Sequence, residues 1–371
     1  MAYKHIKYCL HSSFILVFML LYQVSIGQYN FKPVEKWINT NLKELGGRAV
    51  VMIYKDGKVI YNESFNKLGT RQKVAAKMIA RKTGKDAQQM MADYDEGSRI
   101  PLASCSKWLS AALVMTFVDE GKLKLNDTIG KYLPVMSVNG KGSVTIAHCL
   151  SHTTGIKGGS VKESRDLHNN ANSMQDAVNL IARQPAESAP GLSFRYSSVG
   201  LQLAAAVIEK ISRKNFEKLF NERIAQPCGM TQTDFGHKAV PLPAGGAKGS
   251  ARDYMNFLQM ILHKGFFNGK RILSANSITL MQQNHAAGVK IMQSPAEAGS
   301  WGYGFGEWTM EEAAAGKPSG AVTSPGMFGS FPWVDNKKEY AGILLTFNLK
   351  SRGRNERYRS LKAIIDGIVE K

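Results

Sequence analysis

From residue 30 onward the apolar positions of this chain change period several times. "VEKWINTNLKEL" spaces Val34, Trp37, Ile38, Leu42 and Leu45 along one helical face. "RAVVMIYKDGKVIYNESF" follows as two strand-like runs joined at Asp56-Gly57, a dipeptide that favours a hairpin turn. Near the other end "GSFPWVDNKKEYAGILLTF" repeats this layout, with a polar turn from Asp335 to Lys338. "NERYRSLKAIIDGIVEK" then sets Tyr358, Leu361, Ile365 and Ile368 on one side of a helix. The chain thus starts helix-then-hairpin and ends hairpin-then-helix, so both hairpins can share one antiparallel sheet. Helices covering one face of that sheet make an α+β layer. Between about residues 114 and 239 the patterns are helical, separated by Pro and Gly loops, as in "MQDAVNLIARQ" and "GLQLAAAVIEKISRKNFEKLFNERI". The expected architecture is α+β: an antiparallel sheet flanked by helices, built from about 28–113 and 240–371, with an all-helical subdomain inserted at about 114–239.

The first residues obey another rule. "MAYKHIKYCLHSS" is basic and lacks acids, "FILVFMLLYQV" is apolar but short for a bilayer span, and Ser25 and Gly27 are small. This predicts a signal peptide over 1–27, cleavage before Gln28 and a secreted or periplasmic chain. Cys105, Cys149 and Cys228 remain, an odd number without short paired spacing, and read as small buried hydrophobes rather than a disulfide framework. The formal charge is +19, or +17 without Lys4 and Lys7. Much of it lies in residues 67–85, where no acid appears. There Lys73, Lys77 and Arg81 share a helical face beside Val74 and Met78. Such a segment is either a solvated helix face or a contact with an anionic envelope surface. Nucleic acid is not an expected partner, because no binding motif accompanies the charge.

"PLASCSKWLSAALVM" poses the chemical question, because Lys107 lies in a run suited to a buried helix. Ser104 and Lys107, three apart on a helix, face the same way. The helix N-terminus adds positive potential at the serine, and burial lowers a lysine's pKa, so Lys107 becomes a base or proton relay for a nucleophilic Ser104. The motif is weak alone, and Ser64-Phe65-Asn66-Lys67 is a second copy in polar surroundings, read as a chance match. "PGLSFRYSSVGLQLAAAVIE" strengthens the first copy by placing Tyr196 and Ser198 at a turn before an apolar helix. A tyrosine beside a cationic lysine is expected to have a lowered pKa and to serve as a general base. Taken alone, Tyr196 reads more readily as a packed aromatic with a satisfied hydroxyl.

Together with "TIAHCLSHTTGI", "GGAKGSARDYMNFLQMIL" and "WGYGFGEW", these stretches resemble the serine β-lactamase and penicillin-recognising family, above all its class C and esterase branch. The resemblance runs from about residue 30 to the C-terminus. It implies a β-lactamase/DD-peptidase-like fold, with Ser104 as nucleophile, Lys107 as its partner and Tyr196 sharing the base role. Ser198 stands where class C enzymes usually have asparagine, which leaves one amide-binding group unsupplied. A third motif, Lys-Thr-Gly or His-x-Gly on an edge strand, is replaced by Ser324-Pro325-Gly326 in "AVTSPGMFGSFPWVD". The cation is missing there. By the same resemblance the backbone N–H groups of Ser104 and Met327 form the oxyanion hole, and Gly326 beside it fits close backbone approach by a substrate.

His148 and His152 have the i, i+4 spacing of helical metal ligands, but no glutamate follows His148, and a structural role is expected. Gly302, Gly304 and Gly306 do not form a phosphate loop, because no strand-turn-helix unit surrounds them. Neither a metal nor a cofactor is expected. Two function classes stay open: a secreted serine hydrolase acting through an acyl-enzyme on ester, amide or peptide substrates, and a non-catalytic binding protein of the same fold.

Overall fold

The computed structural model describes residues 29–84, 86–158, 170–350 and 352–370. The expected signal peptide lies outside the described residues. Among these residues no helix is long and apolar enough to cross a membrane. The elements that position the site are α1 (Lys32–Asn41), β1 (Arg48–Lys55), β2 (Lys58–Asn66), α2 (Thr70–Thr83), α3 (Ser106–Asp119), α4 (Val199–Ser212) and α5 (Ala251–Leu262). The short strands β3 (Gly302–Tyr303), β4 (Trp308–Thr309) and β5 (Ala321–Thr323) follow, then β6 (Phe331–Asp335), β7 (Tyr340–Thr346) and α6 (Arg354–Val369).

The two hairpins do share one sheet. Its seven strands run β2-β1-β7-β6-β5-β4-β3, with every neighbouring pair antiparallel. The first and last strands of the two hairpins meet in the middle, in register from Ala49 opposite Thr346 to Lys55 opposite Tyr340. Expected helix faces dock as read: Val34, Ile38, Leu42 and Leu45 of the N-terminal segment pack with Tyr358, Leu361, Ile365 and Ile368. Trp37 sits at the rim, where its indole donates to Ser360 Oγ at 3.0 Å.

Helices cover both faces of the sheet, not one. Ala49, Val51 and Ile53 join the core under α1 and α6, whereas Val50, Met52 and Tyr54 join the core of α3, α4 and α5. Successive side chains of a strand point to opposite faces. A strand buried on both sides therefore reads as one apolar run, as β1 does. Edge strand β2 is mostly exposed, with Tyr61 its one buried residue.

Helix α3 lies in the middle of the larger core, with Ser106 through Phe117 all buried. A helix that is apolar all round belongs in such a place. Its polar side chains must then find partners, and the loop 242–247 supplies them. Ser106 Oγ accepts from Ala247 N at 3.0 Å, and Ser110 Oγ donates to Pro243 O at 2.7 Å. Leu102 N donates to Ala247 O at 2.9 Å just before the helix. Each such bond to a buried group contributes about 1 kcal/mol net, and more is lost if a partner is left unpaired.

Candidate active site

Ser104 sits in a single 3₁₀ turn, Ala103–Cys105, that runs straight into α3. Ala103 holds φ = 49°, a left-handed conformation that costs a residue with a Cβ about 1–3 kcal/mol. The strain turns Ser104 out of the core: it stays half-buried while Ala103, Cys105, Ser106 and Lys107 are buried. One nucleophile candidate is thus lifted to the surface of an otherwise closed helix.

Lys107 lies one turn further in. Its Nζ is 3.1 Å from Ser104 Oγ and 2.7 Å from the Ala244 carbonyl. Burial pushes its pKa down to about 7. An exposed lysine titrates near 10.4, so the neutral amine is enriched roughly a thousandfold at pH 7. In that form Nζ keeps two hydrogens and one lone pair. The Ala244 carbonyl takes a hydrogen, which leaves the lone pair available to the Ser104 hydroxyl.

Tyr196 follows the short strand Ser193–Arg195, three residues before α4 begins at Val199. Its ring lies under Lys107, with Nζ 4.5 Å from the ring centroid. The expectation of a lowered tyrosine pKa is reversed. Burial raises it above the ordinary value of 10, even though hydrogen bonding to Ser104 and to the Trp308 indole favours the phenolate. The physical reason is the phenol's own burial, which outweighs those bonds. Tyr196 is therefore a protonated phenol placed against Ser104, not a resting phenolate.

The third segment closes the site from the sheet side. Ser324 follows β5 directly, and β4 and β3 extend the sheet past it, so it is not on an edge strand. Pro325 is tolerated because it lies beyond the ladder. The Ser324 side chain is buried and does not face outward as a substrate group would. Its hydroxyl is 3.2 Å from Ser104 O and 3.1 Å from Gly306 O, and donates to one of them at a time. Gly326 also has a different reason from the expected one. A Cβ there would run into the Leu102 carbonyl, so the close approach is by the nucleophile turn itself. Met327 is exposed, while its carbonyl accepts from Arg354 Nη1 at 2.6 Å. Gly326 N donates to Ser330 O at 2.8 Å, which completes a fixed turn around Met327. Ser198 is half-buried at the N-cap of α4 and makes no side-chain capping bond.

Three further groups support the site, and of these sequence reasoning assigned no role to Glu307. Arg354 is buried, and its guanidinium also bonds the Asn348 and Lys350 carbonyls and Glu297. His152, expected to be structural, packs against Tyr196 with ring centroids 4.7 Å apart and the planes tilted by 58°. Burial and the nearby Lys107 hold its pKa well below the usual range, so it is neutral. It accepts from Ser197 N at Nδ1, at the long distance of 3.5 Å, which gives Nε2 the proton that faces Tyr303 Oη at 3.1 Å. His148 instead accepts from Thr145 N, so the two histidines do not converge on a common point. Among the described residues no cluster of three metal-ligating side chains occurs. The glycines of "WGYGFGEW" permit backbone contacts: Gly304 abuts Met281 O, and Gly306, at φ = 79°, abuts the Lys107 backbone. Next to it Glu307 is fully buried with no hydrogen-bond partner among the described residues on either oxygen, and burial raises its pKa well above the carboxylate range. It is a neutral acid behind the lysine helix.

This arrangement has relatives. A beta-lactamase candidate from Bacteroides dorei DSM 17855 superposes with a TM-score of 0.76 at 23% identity, over 92% of this chain and 100% of that one. EstCE1, a hydrolase with promiscuous acyltransferase activity, gives 0.68 at 20% identity, over 89% and 99%. At these identities the likeness establishes the fold. Protein flp of Staphylococcus aureus (strain MRSA252) is 25% identical over 190 residues, half of this chain but 34% of that protein. The chain therefore spans about a third of the length of that curated relative. The Beta-lactamase family profile matches residues 38–364, a span that contains the Ser104 turn, Tyr196 and the Ser324 segment. The chain belongs to the Beta-lactamase family, with its β-lactamase/transpeptidase-like fold.

Proposed function

We propose that this protein is a secreted serine hydrolase that works through an acyl-enzyme at Ser104. The observation that carries the reading is the buried Lys107 amine, 3.1 Å from Ser104 Oγ with its pKa lowered to about 7. Neutral Lys107 takes the Ser104 proton as Oγ bonds to the substrate's carbonyl carbon. The carbonyl oxygen becomes an oxyanion, received by the backbone N–H groups of Ser104 and Met327. Preorganised donors of this kind contribute about 2.7–4 kcal/mol each. When the tetrahedral intermediate collapses, the bond to the leaving group breaks. The proton on Lys107 passes through the Tyr196 hydroxyl to that group. Water then attacks the ester at Ser104, passing one proton by way of the Tyr196 hydroxyl to Lys107. As the acyl C–O bond breaks, Lys107 returns that proton to Ser104 Oγ and the acid product leaves. Tyr196 acts as a relay, because a phenol of raised pKa is a poor resting base.

The preferred substrates are small uncharged esters, or amides without a free carboxylate. Ser324 brings no charge, and its hydroxyl is already used inside the protein. Arg354, the buried cation near that segment, is held by three carbonyls and Glu297. A substrate carboxylate would lose its water with little in return. In the same reading the basic segment around α2 attaches the secreted enzyme to an anionic envelope surface.

Labelling with a fluorophosphonate followed by intact-mass analysis tests the reaction class. One adduct that Ser104→Ala abolishes is the expected result, and no adduct under any condition would favour the non-catalytic binding protein. Cephalosporin hydrolysis well above p-nitrophenyl ester hydrolysis would overturn the substrate preference.

A further inference from the structure

Helix α2 (Thr70–Thr83) carries five cations and no acid: Arg71, Lys73, Lys77, Arg81 and Lys82. Only Ala80 is buried; Val74, Met78 and Ile79 are 51%, 65% and 48% exposed. A helix turns about 100° per residue. On that wheel Ala76 and Ala80 face the protein, and Val74 and Met78 lie on the opposite side. Lys77 and Arg81 flank this apolar strip on one edge, with Arg71 and Lys82 on the other. Both ends are capped: Gln72 Oε1 accepts from Gly69 N at 2.7 Å, and Gly84 ends the helix in a left-handed conformation.

From this face we infer that α2 lies flat on a bilayer of anionic phospholipid. The inference rests on the reading of this segment as an envelope contact, not on the chemistry of Ser104. Charge decides between the candidate occupants. A second copy of this chain would set five cations against five, which repel. A polyanion would satisfy the cations and leave Val74 and Met78 in water. A lipid surface takes both, because phosphate headgroups meet the cationic edges while the strip enters the headgroup–acyl boundary. One helix with so short a strip gives weak, reversible, salt-sensitive binding.

Sedimentation of the full chain with vesicles tests this, comparing phosphatidylcholine alone with phosphatidylcholine containing phosphatidylglycerol. The ratio of the two partition coefficients cancels what the apolar N-terminal residues contribute to both. We expect the ratio to be well above one at low salt and to fall towards one at high salt. Lys77→Gln with Arg81→Gln should lower it about 25-fold, at roughly fivefold per cation. Met78→Ser should lower binding to phosphatidylglycerol vesicles several-fold. Lys290→Gln with Lys317→Gln, the same charge change elsewhere, should leave the ratio nearly intact. A ratio of one, or equal losses in the two double variants, would overturn the inference. So would tight binding to heparin together with insensitivity of vesicle binding to Met78→Ser. Unchanged ester hydrolysis in all variants would show that they are folded, and since binding is read separately, failure of the hydrolase reading would leave this result standing.

Discussion

Two Ser-x-x-Lys sequences occur in this chain, and the structure places them in opposite settings. Ser104 and Lys107 lie on a helical turn, where positions i and i+3 share a face, and their polar atoms meet. Ser64 lies on strand β2, where residues three apart point to opposite sides of the sheet, and both Ser64 and Lys67 are exposed. The difference is made by burial as much as by geometry. Lys107 is enclosed by the core, so its ammonium is costly and its neutral amine is populated. Identical residue types at identical spacing are thus a buried amine in contact with a serine hydroxyl in one place and ordinary surface in the other.

The largest expected effect breaks the pair outright. Ser104→Ala should lower ester kcat by at least about 10⁴-fold, and Ser64→Ala should leave it within twofold, as read in a p-nitrophenyl ester assay. Lys107→Ala and Tyr196→Phe come next, with about 10²- to 10⁴-fold losses in kcat and little change in folding. Because one proton passes between them, the double variant should lose much less than the product of the single losses. Full multiplicative loss would separate the two roles.

Those residues were legible in the sequence because a lysine in an apolar run is conspicuous, and because the resemblance carried Tyr196. The sheet pairing was legible too, since each hairpin is local and each flanking helix has a clear apolar face. What stayed hidden depends on backbone. The Ala244 carbonyl that orients Lys107, and the Leu102 carbonyl that demands Gly326, have no residue-type signal. The direction of the Tyr196 shift was missed for a related reason, because a motif does not report how deeply the phenol itself is buried. Burial of the sheet on both faces was hidden in the same way: β1 shows the apolar run, but one strand does not say what covers it.

A smaller effect sharpens how the helix copy is held. Ser324→Ala removes a hydroxyl bonded to the carbonyl of Ser104 or Gly306, worth about 1 kcal/mol, so kcat should fall about fivefold. KM for a neutral ester should barely move. A large rise in KM with kcat unchanged would make Ser324 a substrate-binding group after all.

A last effect concerns stability rather than rate. Glu307 holds its proton in the fold, whereas an unfolded glutamate releases it above about pH 4.3. A raised folded pKa means that stability is lost as pH rises above the unfolded value, by up to about 1.4 kcal/mol per pH unit. Glu307→Gln has no such proton. Its denaturation midpoint relative to the natural protein should therefore climb between pH 4.5 and 6.5, and parallel midpoints would show that Glu307 is ionised and paired.

The central claim is that Ser104 is activated by a lysine whose pKa burial has lowered to about 7. The rate of fluorophosphonate modification of the full chain between pH 5 and 9, with the adduct mapped, tests it directly. The account predicts a single adduct at Ser104 and a plateau above pH 7. Below that the rate should drop about tenfold per pH unit, and Lys107→Ala should abolish this limb. A rate still rising towards pH 10, a flat profile or an adduct at Ser64 would contradict it.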